Sequence, residues 1–342
     1  MEQWLEHVMA NVHWTVLVFL IAFMLYTLAK GADMVVEEAV TLSVMWGVPR
    51  VLIGATIVSL GTTMPETAVS VLAALQGSPD LALGNAVGSI ICDTGLILGL
   101  AALIAPLPLD REIVNRQGWI QLGAGFLLVG SCLPFGALGT MFTTGGRLPQ
   151  GMGVVFLCLL ALYLWLSINW TRQGSAVSDI EAVERTAPKA LVVLKLLCGL
   201  GLVVGSSWLL IPAVRELALR LHIPPSIIAA TLVAFGTSLP ELVTCVTAAR
   251  RGYGELAVGN VVGADILNVL FVSGAAAAVT AGGLSASPHF FRFLFPAMLF
   301  VLIIFRIGIF TSGATMRRPF GVVLLGIYLL VTILSYSARP AE

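Results

Sequence analysis

A carboxylate that follows two hydroxyls and a proline inside an apolar run occurs twice in this chain. Gly61-Thr62-Thr63-Met64-Pro65-Glu66 lies within GATIVSLGTTMPET (Gly54 to Thr67), and Gly236-Thr237-Ser238-Leu239-Pro240-Glu241 lies within AATLVAFGTSLPEL (Ala229 to Leu242). Pro65 has no N–H for the carbonyl of Gly61, and its ring clashes there, so the turn must open. The carbonyls of Ser59 to Thr62 are expected to be released and, away from water, to need another partner. A bound cation is one such partner, with the hydroxyls of Thr62 and Thr63 and the carboxylate of Glu66 around it. Thr237, Ser238 and Glu241 repeat the set. Carboxylate, hydroxyl and carbonyl are hard ligands that suit Ca²⁺ or Mg²⁺ and accept Na⁺, whereas softer metals favour thiolate or imidazole. The competing explanation is a plain proline kink whose glutamate pairs with a base. Lys30 and Lys195 are the only lysines in apolar runs, and neither accompanies the motifs.

A second polar stretch follows each motif: LALGNAVGSIICDTG (Leu81 to Gly95) and LAVGNVVGADILNVL (Leu256 to Leu270). Ser89 and Asp93 are one helical turn apart on a shared face, as are Ala264 and Asn268. Asp93 and Asn268 hold equivalent positions and are placed beside the glutamate pair as a third carboxylate and its amide counterpart. Asp265 lies one position off that face and reads equally as a ligand or as a structural polar group. Gly84 and Gly88, with Gly259 and Gly263, read as close-packing helix faces. Three carboxylates would balance three Na⁺; one Ca²⁺ leaves one negative charge, which a proton on Asp93 would neutralise. Occupancy by Ca²⁺ and by Na⁺ is then mutually exclusive, which is the physical basis of exchange.

The elements that must position these groups follow from the duplication. Glu66 and Glu241, Pro65 and Pro240, Gly61 and Gly236, and Asn85 and Asn260 are all 175 positions apart, a gap-free internal repeat. The 342 residues are 58% hydrophobic and 11% charged, where a soluble domain has about a quarter charged. Mean hydropathy is +1.00, so the solvent for most of the chain is the lipid bilayer. A membrane helix needs about 20 apolar residues. Ten spans are predicted, near 14–44, 50–76, 80–105, 118–142, 150–171, 190–217, 224–250, 255–281, 290–311 and 318–337. The first and sixth are long enough to tilt. The fold expected is an all-α integral membrane protein with broken helices 2 and 7. Its divisions are a first repeat at 1–172, a short cytoplasmic linker at 173–189, and a second repeat at 190–342.

Five spans per repeat is an odd number, so the second half enters the membrane inverted, as in secondary transporters. Glu66 and Glu241 then meet about a pseudo-two-fold axis. Arg50, Arg111, Arg116, Arg172, Arg185, Lys189, Arg250, Arg251, Arg317 and Arg318 fall on one side, against Arg147, Arg215, Arg220, Arg292 and Arg339 on the other. That excess places the N-terminus outside. A formal net charge of zero gives no case for nucleic-acid binding. Cys92, Cys132, Cys158, Cys198 and Cys245 lie in apolar runs without a CxxC pair and read as small hydrophobes. His7, His13, His222 and His289 lie near span ends, away from any central relay. No nucleophile–base pair and no histidine cluster marks an enzyme, and no cofactor motif is present. The opening MEQWLEHVMANVHW lacks the basic segment of a cleaved signal.

GTTMPE with GNAVGSIICD, and GTSLPE with GNVVGADILN, resemble the two α-repeats of the cation/Ca²⁺ exchanger superfamily, closest to its prokaryotic sodium/calcium exchanger branch. KGADMVVEEAVTLSVMWGVPRVLIGATIVSLG (Lys30 to Gly61) is similar to the segment that precedes the first repeat motif there. The resemblance implies that Glu66 and Glu241 bridge the centre, with Thr62 and Thr237 completing a Ca²⁺ site. It implies backbone carbonyls of Ser59 and Ala234 in flanking Na⁺ sites, Ser89 assisting one of them, and Asp93 and Asn268 bordering the middle position. Spans one and six would slide as a gate across the other eight. The implied function is exchange of Ca²⁺ for Na⁺ by alternating access in a prokaryotic inner membrane, with a monomer sufficient. Ca²⁺/H⁺ or K⁺-dependent exchange is the alternative on the same fold. A cation channel, which usually takes several subunits to form a pore, is disfavoured. Two departures stand out. The family's Asn in the first repeat and Asp in the second are exchanged here, as Asp93 and Asn268, and an expected second-repeat Ser is Ala264.

Overall fold

A computed structural model describes residues 8–109, 111–136, 138–173, 188–221 and 236–337. Apolar runs without backbone partners from water must bond internally, and they do so as helices. The first half holds α1 (Trp14–Trp46), α2a (Arg50–Thr62), α2b (Met64–Leu75), α3 (Pro79–Ile104), α4 (Arg111–Cys132) and α5 (Gln150–Gln173). The second holds α6 (Lys189–Arg220), α7 (Leu239–Arg250), α8 (Gly254–Val279), α9 (Phe290–Thr311) and α10 (Arg318–Ser337). Two-residue or three-residue strands β1 (Leu107–Pro108), β2 (Gly146–Leu148), β3 (Leu284–Ala286) and β4 (Thr315–Met316) lie in the connections.

The register of 175 survives folding. Gly77 and Gly252, which end α2b and α7, both take left-handed backbone angles, φ 82° and φ 80°, a conformation that glycine adopts without steric cost. Both α3 and α8 widen into a π-type turn, at Cys92–Ile97 and at Asn268–Ser273. Such turns shift the helical register and often mark functional sites. They begin at or beside Asp93 and Asn268.

Seven helices among the described residues are long and apolar enough to cross a membrane, and the α2a–α2b pair, bent by 43°, makes an eighth. The predicted span at 118–142 needs correction: its helix runs from Arg111 to Cys132. Pro134 cannot continue the helix, while Arg111, Glu112, Arg116, Gln117 and Gln121 dilute its hydropathy at the start. The seventh predicted span is described only from Gly236 onward.

Strand pairing fixes how the halves lie. β1 pairs with β4, and β2 with β3, both antiparallel. β1 and β3 follow the third helix of their respective halves, so they are equivalent. Yet β3 sits with β2, at the opposite end of α4 from β1. Equivalent connections therefore lie on opposite faces, and the second half is inverted relative to the first.

α1 and α6 pack along one another at glycine contacts. A Cβ added at Gly31 would lie 2.9 Å from Leu202 Cβ, and one at Gly199 would lie 3.1 Å from the Val35 nitrogen. Thr27 and Ser206 share a hydrogen bond of 2.7 Å, and Lys195 pairs with buried Glu38 at 3.5 Å. Arg251, just past α7, reaches this two-helix unit through Asp33 at 2.6 Å and Glu37 at 3.9 Å.

Candidate cation site between the repeats

Each proline restarts a helix rather than merely bending one. The chain turns at Thr63 (φ −82°, ψ 0°) and at Ser238 (φ −84°, ψ 10°), and Pro65 and Pro240 fall in the first turns of α2b and α7. Proline is tolerated there because those N–H groups have no intrahelical acceptor. Glu66 and Glu241 also occupy these first turns, where the free N–H ends of the helix favour negative charge.

Inversion brings the two turns together in the interior. Glu66, Glu241, Asp93 and Asn268 are each only 1% exposed. The Thr63 hydroxyl donates across the repeats to Glu241 Oε1 at 3.2 Å. The Asn268 amide donates across them to Asp93 Oδ2 at 3.3 Å. Thr62 lies against Glu241. The Ser238 hydroxyl neighbours both Glu66 and Asp93 without closing a hydrogen bond. Ser89 is buried one turn before Asp93.

What this cluster lacks is positive charge and donors. Both oxygens of Glu66, Oε2 of Glu241, Oδ1 of Asp93 and Oδ1 of Asn268 are buried without a hydrogen-bond partner. None of the three acids takes part in an ion pair among the described residues, so the explanation by a glutamate–base pair fails. Like charges at such depth repel strongly, and unpaired buried acceptors are destabilising. A cation meets both requirements at once. No three His, Cys, Asp or Glu side chains among the described residues converge tightly enough to hold a metal by themselves. The hydroxyls of Thr62, Thr63 and Ser238 and the amide oxygen of Asn268 border the same acids.

Two expectations change here, and Asp265, left open by the sequence, is placed. The Ser59 carbonyl is not released by Pro65: it accepts from the Thr63 N–H at 2.9 Å and from the Thr62 hydroxyl at 3.3 Å. Proline removes the donor four residues on from Gly61, not the one that serves Ser59. Thr237 turns its hydroxyl to Asn85 Oδ1 at 3.3 Å rather than to a carboxylate. Asp265 joins a separate cluster, accepting from Thr94 and from Gln121 Nε2 at 2.5 Å. Ala234 lies outside the described residues.

Asn85 is a connecting residue at the site that the sequence pattern hid. Its amide donates to the Glu66 carbonyl at 3.3 Å and to Ser70 at 3.0 Å, while its oxygen takes the Thr237 hydroxyl. It ties α2b to the turn before α7. In GNxxG the glycines drew attention as packing residues, and the amide between them was the available signal.

The chain matches the family described as "Sodium/calcium exchanger protein" over residues 16–169 and 191–337, so each half is matched separately. It is 31% identical to the inner membrane protein YrbG of Escherichia coli over 317 residues, covering 91% of this chain and 94% of that one. It is 30% identical to the sodium/calcium exchanger MaX1 of Methanosarcina acetivorans over 338 residues, covering 90% and 95%. The fold superposes on a structure of the sodium-calcium exchanger NCX_Mj soaked with Na⁺, with TM-score 0.78 and 27% identity across 96% of this chain and 100% of that one.

Proposed function

Since this chain belongs to the sodium/calcium exchanger family, we propose that it exchanges Ca²⁺ for Na⁺ by alternating access. It is an ion exchanger of a multi-pass membrane type, not an enzyme. The observation that supports the ion assignment is the set of buried, partnerless oxygens on Glu66, Glu241, Asp93 and Asn268, all hard donors. Ca²⁺ sits between the two glutamates with Thr62 and Asn268 beside it. Na⁺ ions occupy flanking positions served by Thr63, Ser238, Ser89 and main-chain carbonyls, including that of Ala234. The three negative charges accommodate either three Na⁺ or one Ca²⁺ with a proton, but not both ions together. Thr237 acts through Asn85 in the described conformation and reaches the ion only if that hydrogen bond opens.

The repeats are bounded at 1–172 and 190–342. The N-terminus faces outward in a prokaryotic inner membrane, as the arginine and lysine distribution supports. α1 and α6 slide together past the remaining helices, and one chain suffices for transport.

The test is Ca²⁺ flux into proteoliposomes. A Na⁺ gradient is expected to drive uptake in the absence of K⁺ and of a pH gradient. Uptake that requires K⁺, or that follows the pH gradient instead, overturns Na⁺ as the counter-ion. A Ca²⁺ current without any counter-ion identifies a channel.

A further inference from the structure

We propose that Asp265, Thr94 and Gln121 form a second cation site, for one monovalent ion, away from the axis that relates the two repeats. The inference rests on the chain being an ion exchanger but not on which ions the glutamates hold. Asp265 is 2% exposed, in the middle of α8, and enters no ion pair among the described residues. A carboxylate at such depth needs neutralising by a proton or a cation.

Hydrogen bonding favours the ionised acid, because two donor groups already converge on Oδ2. Asp265 Oδ2 accepts from both the Thr94 hydroxyl and Gln121 Nε2, and Nε2 also lies 3.3 Å from the hydroxyl. Oδ1 is buried with no partner. A proton on Oδ1 would be a buried donor without an acceptor. An ionised Oδ1 is a buried acceptor without a donor, which a cation would complete. Three elements (α3, α4 and α8) converge to supply carboxylate, hydroxyl and carboxamide, and the carboxamide presents its oxygen after a half-turn. These are hard donors, and one negative charge among neutral groups matches one positive charge.

The site is no relic of the duplication. In the register of 175, Asp265 corresponds to Ile90 and Thr94 to Val269, and the equivalent helices α4 and α9, each of 22 residues, place Phe300 opposite Gln121. Its position nevertheless links it to the glutamate site, because Asp265 lies close enough to Asp93 for the two charges to repel. A cation at Asp265 removes that repulsion but also lowers the negative potential that attracts a second cation beside Asp93, so the two sites load anticooperatively.

The experiment uses Tl⁺, a monovalent cation with strong anomalous scattering, soaked into crystals of the full chain carrying Glu66→Gln with Glu241→Gln. An anomalous peak at Asp265 Oδ1 is expected there, and none after Asp265→Asn is added. In solution, K⁺ or Na⁺ is expected to raise the melting temperature of the double variant but not that of the triple variant. Should Asp265→Asn not fold, Thr94→Val and Gln121→Leu replace it, each expected to raise the half-saturating ion concentration by about tenfold. No peak in the double variant overturns the proposal. So does a melting temperature that follows pH and ignores the monovalent ion, which would identify a proton site. Failure of the glutamate assignment shows separately, as exchange that survives Glu66→Gln or Glu241→Gln.

Discussion

At the scale of single residues, charge rather than shape decides the behaviour of the inter-repeat cluster. Glu66→Gln keeps the volume of the side chain and removes its charge. Two unit charges about 4 Å apart at an effective dielectric near 20 interact by about 4 kcal/mol, roughly a thousandfold in affinity. Glu66→Gln and Glu241→Gln are therefore each expected to abolish Ca²⁺ exchange in proteoliposomes while the protein elutes and melts as a folded species. Retained flux in either variant removes the central role from that carboxylate. The Asp93–Asn268 pair permits a subtler test. Their contact is a single amide-to-carboxylate hydrogen bond across the repeats. Asp93→Asn combined with Asn268→Asp reverses donor and acceptor and keeps the charge count. The double swap is expected to keep measurable exchange, whereas Asp93→Asn alone loses it; equal loss in both shows that charge position matters as much as number. These acids were legible because an acid in an apolar run is anomalous in any sequence. Thr94 and Gln121 were not, because hydroxyl and amide side chains in helices are common and neither recurs in the other repeat.

Among the helices, what positions the cluster is close backbone contact between α8 and α2a. A Cβ at Gly259 would lie 2.1 Å from the Val51 carbonyl oxygen, and one at Gly263 would lie 2.5 Å from the Ala55 oxygen. Neither partner is a movable side chain, so the helices would have to separate. Gly259→Ala is expected to destabilise the protein by about 1–3 kcal/mol, seen as a lower thermal midpoint in detergent. Gly123→Ala, on an exposed face of α4 with nothing within 4 Å of its added Cβ, is expected to leave the midpoint unchanged or raise it. An equal drop in both variants assigns the effect to helix propensity and not to packing. Glycines four apart announced this packing in the sequence. For Gly84 and Gly88 the equivalent partner segment, residues 226–230, lies outside the described residues. The wide turns at Cys92–Ile97 and Asn268–Ser273 left no signal at all, since a π-type turn changes backbone hydrogen bonding without requiring any residue type.

For the molecule as a whole, inversion was readable from parity alone: a gap-free repeat with an odd number of spans leaves no other arrangement, and the strand pairs bear it out. The pairing of α1 with α6 was not readable from their own residues, because glycine, valine and leucine on a long apolar helix suit lipid and protein partners alike. Among the described residues, Asp33 of α1 forms an ion pair with Arg251, just past α7. Exposed ion pairs contribute about 0.2–1 kcal/mol, too little to weld two bodies together but enough to bias which arrangement is occupied. If exchange requires the pair to slide past the other helices, a covalent bridge at this point must stop it. Asp33→Cys with Arg251→Cys, with the exposed Cys158 and Cys198 changed to Ser, can be joined by a short, cleavable bifunctional thiol reagent. Exchange is expected to cease on bridging and to return on cleavage, while the protein with either cysteine alone is unaffected by the reagent. Undiminished flux through the bridged protein means that α1 and α6 do not move against α7 during transport, and the ion must then change sides by a rearrangement within the core helices.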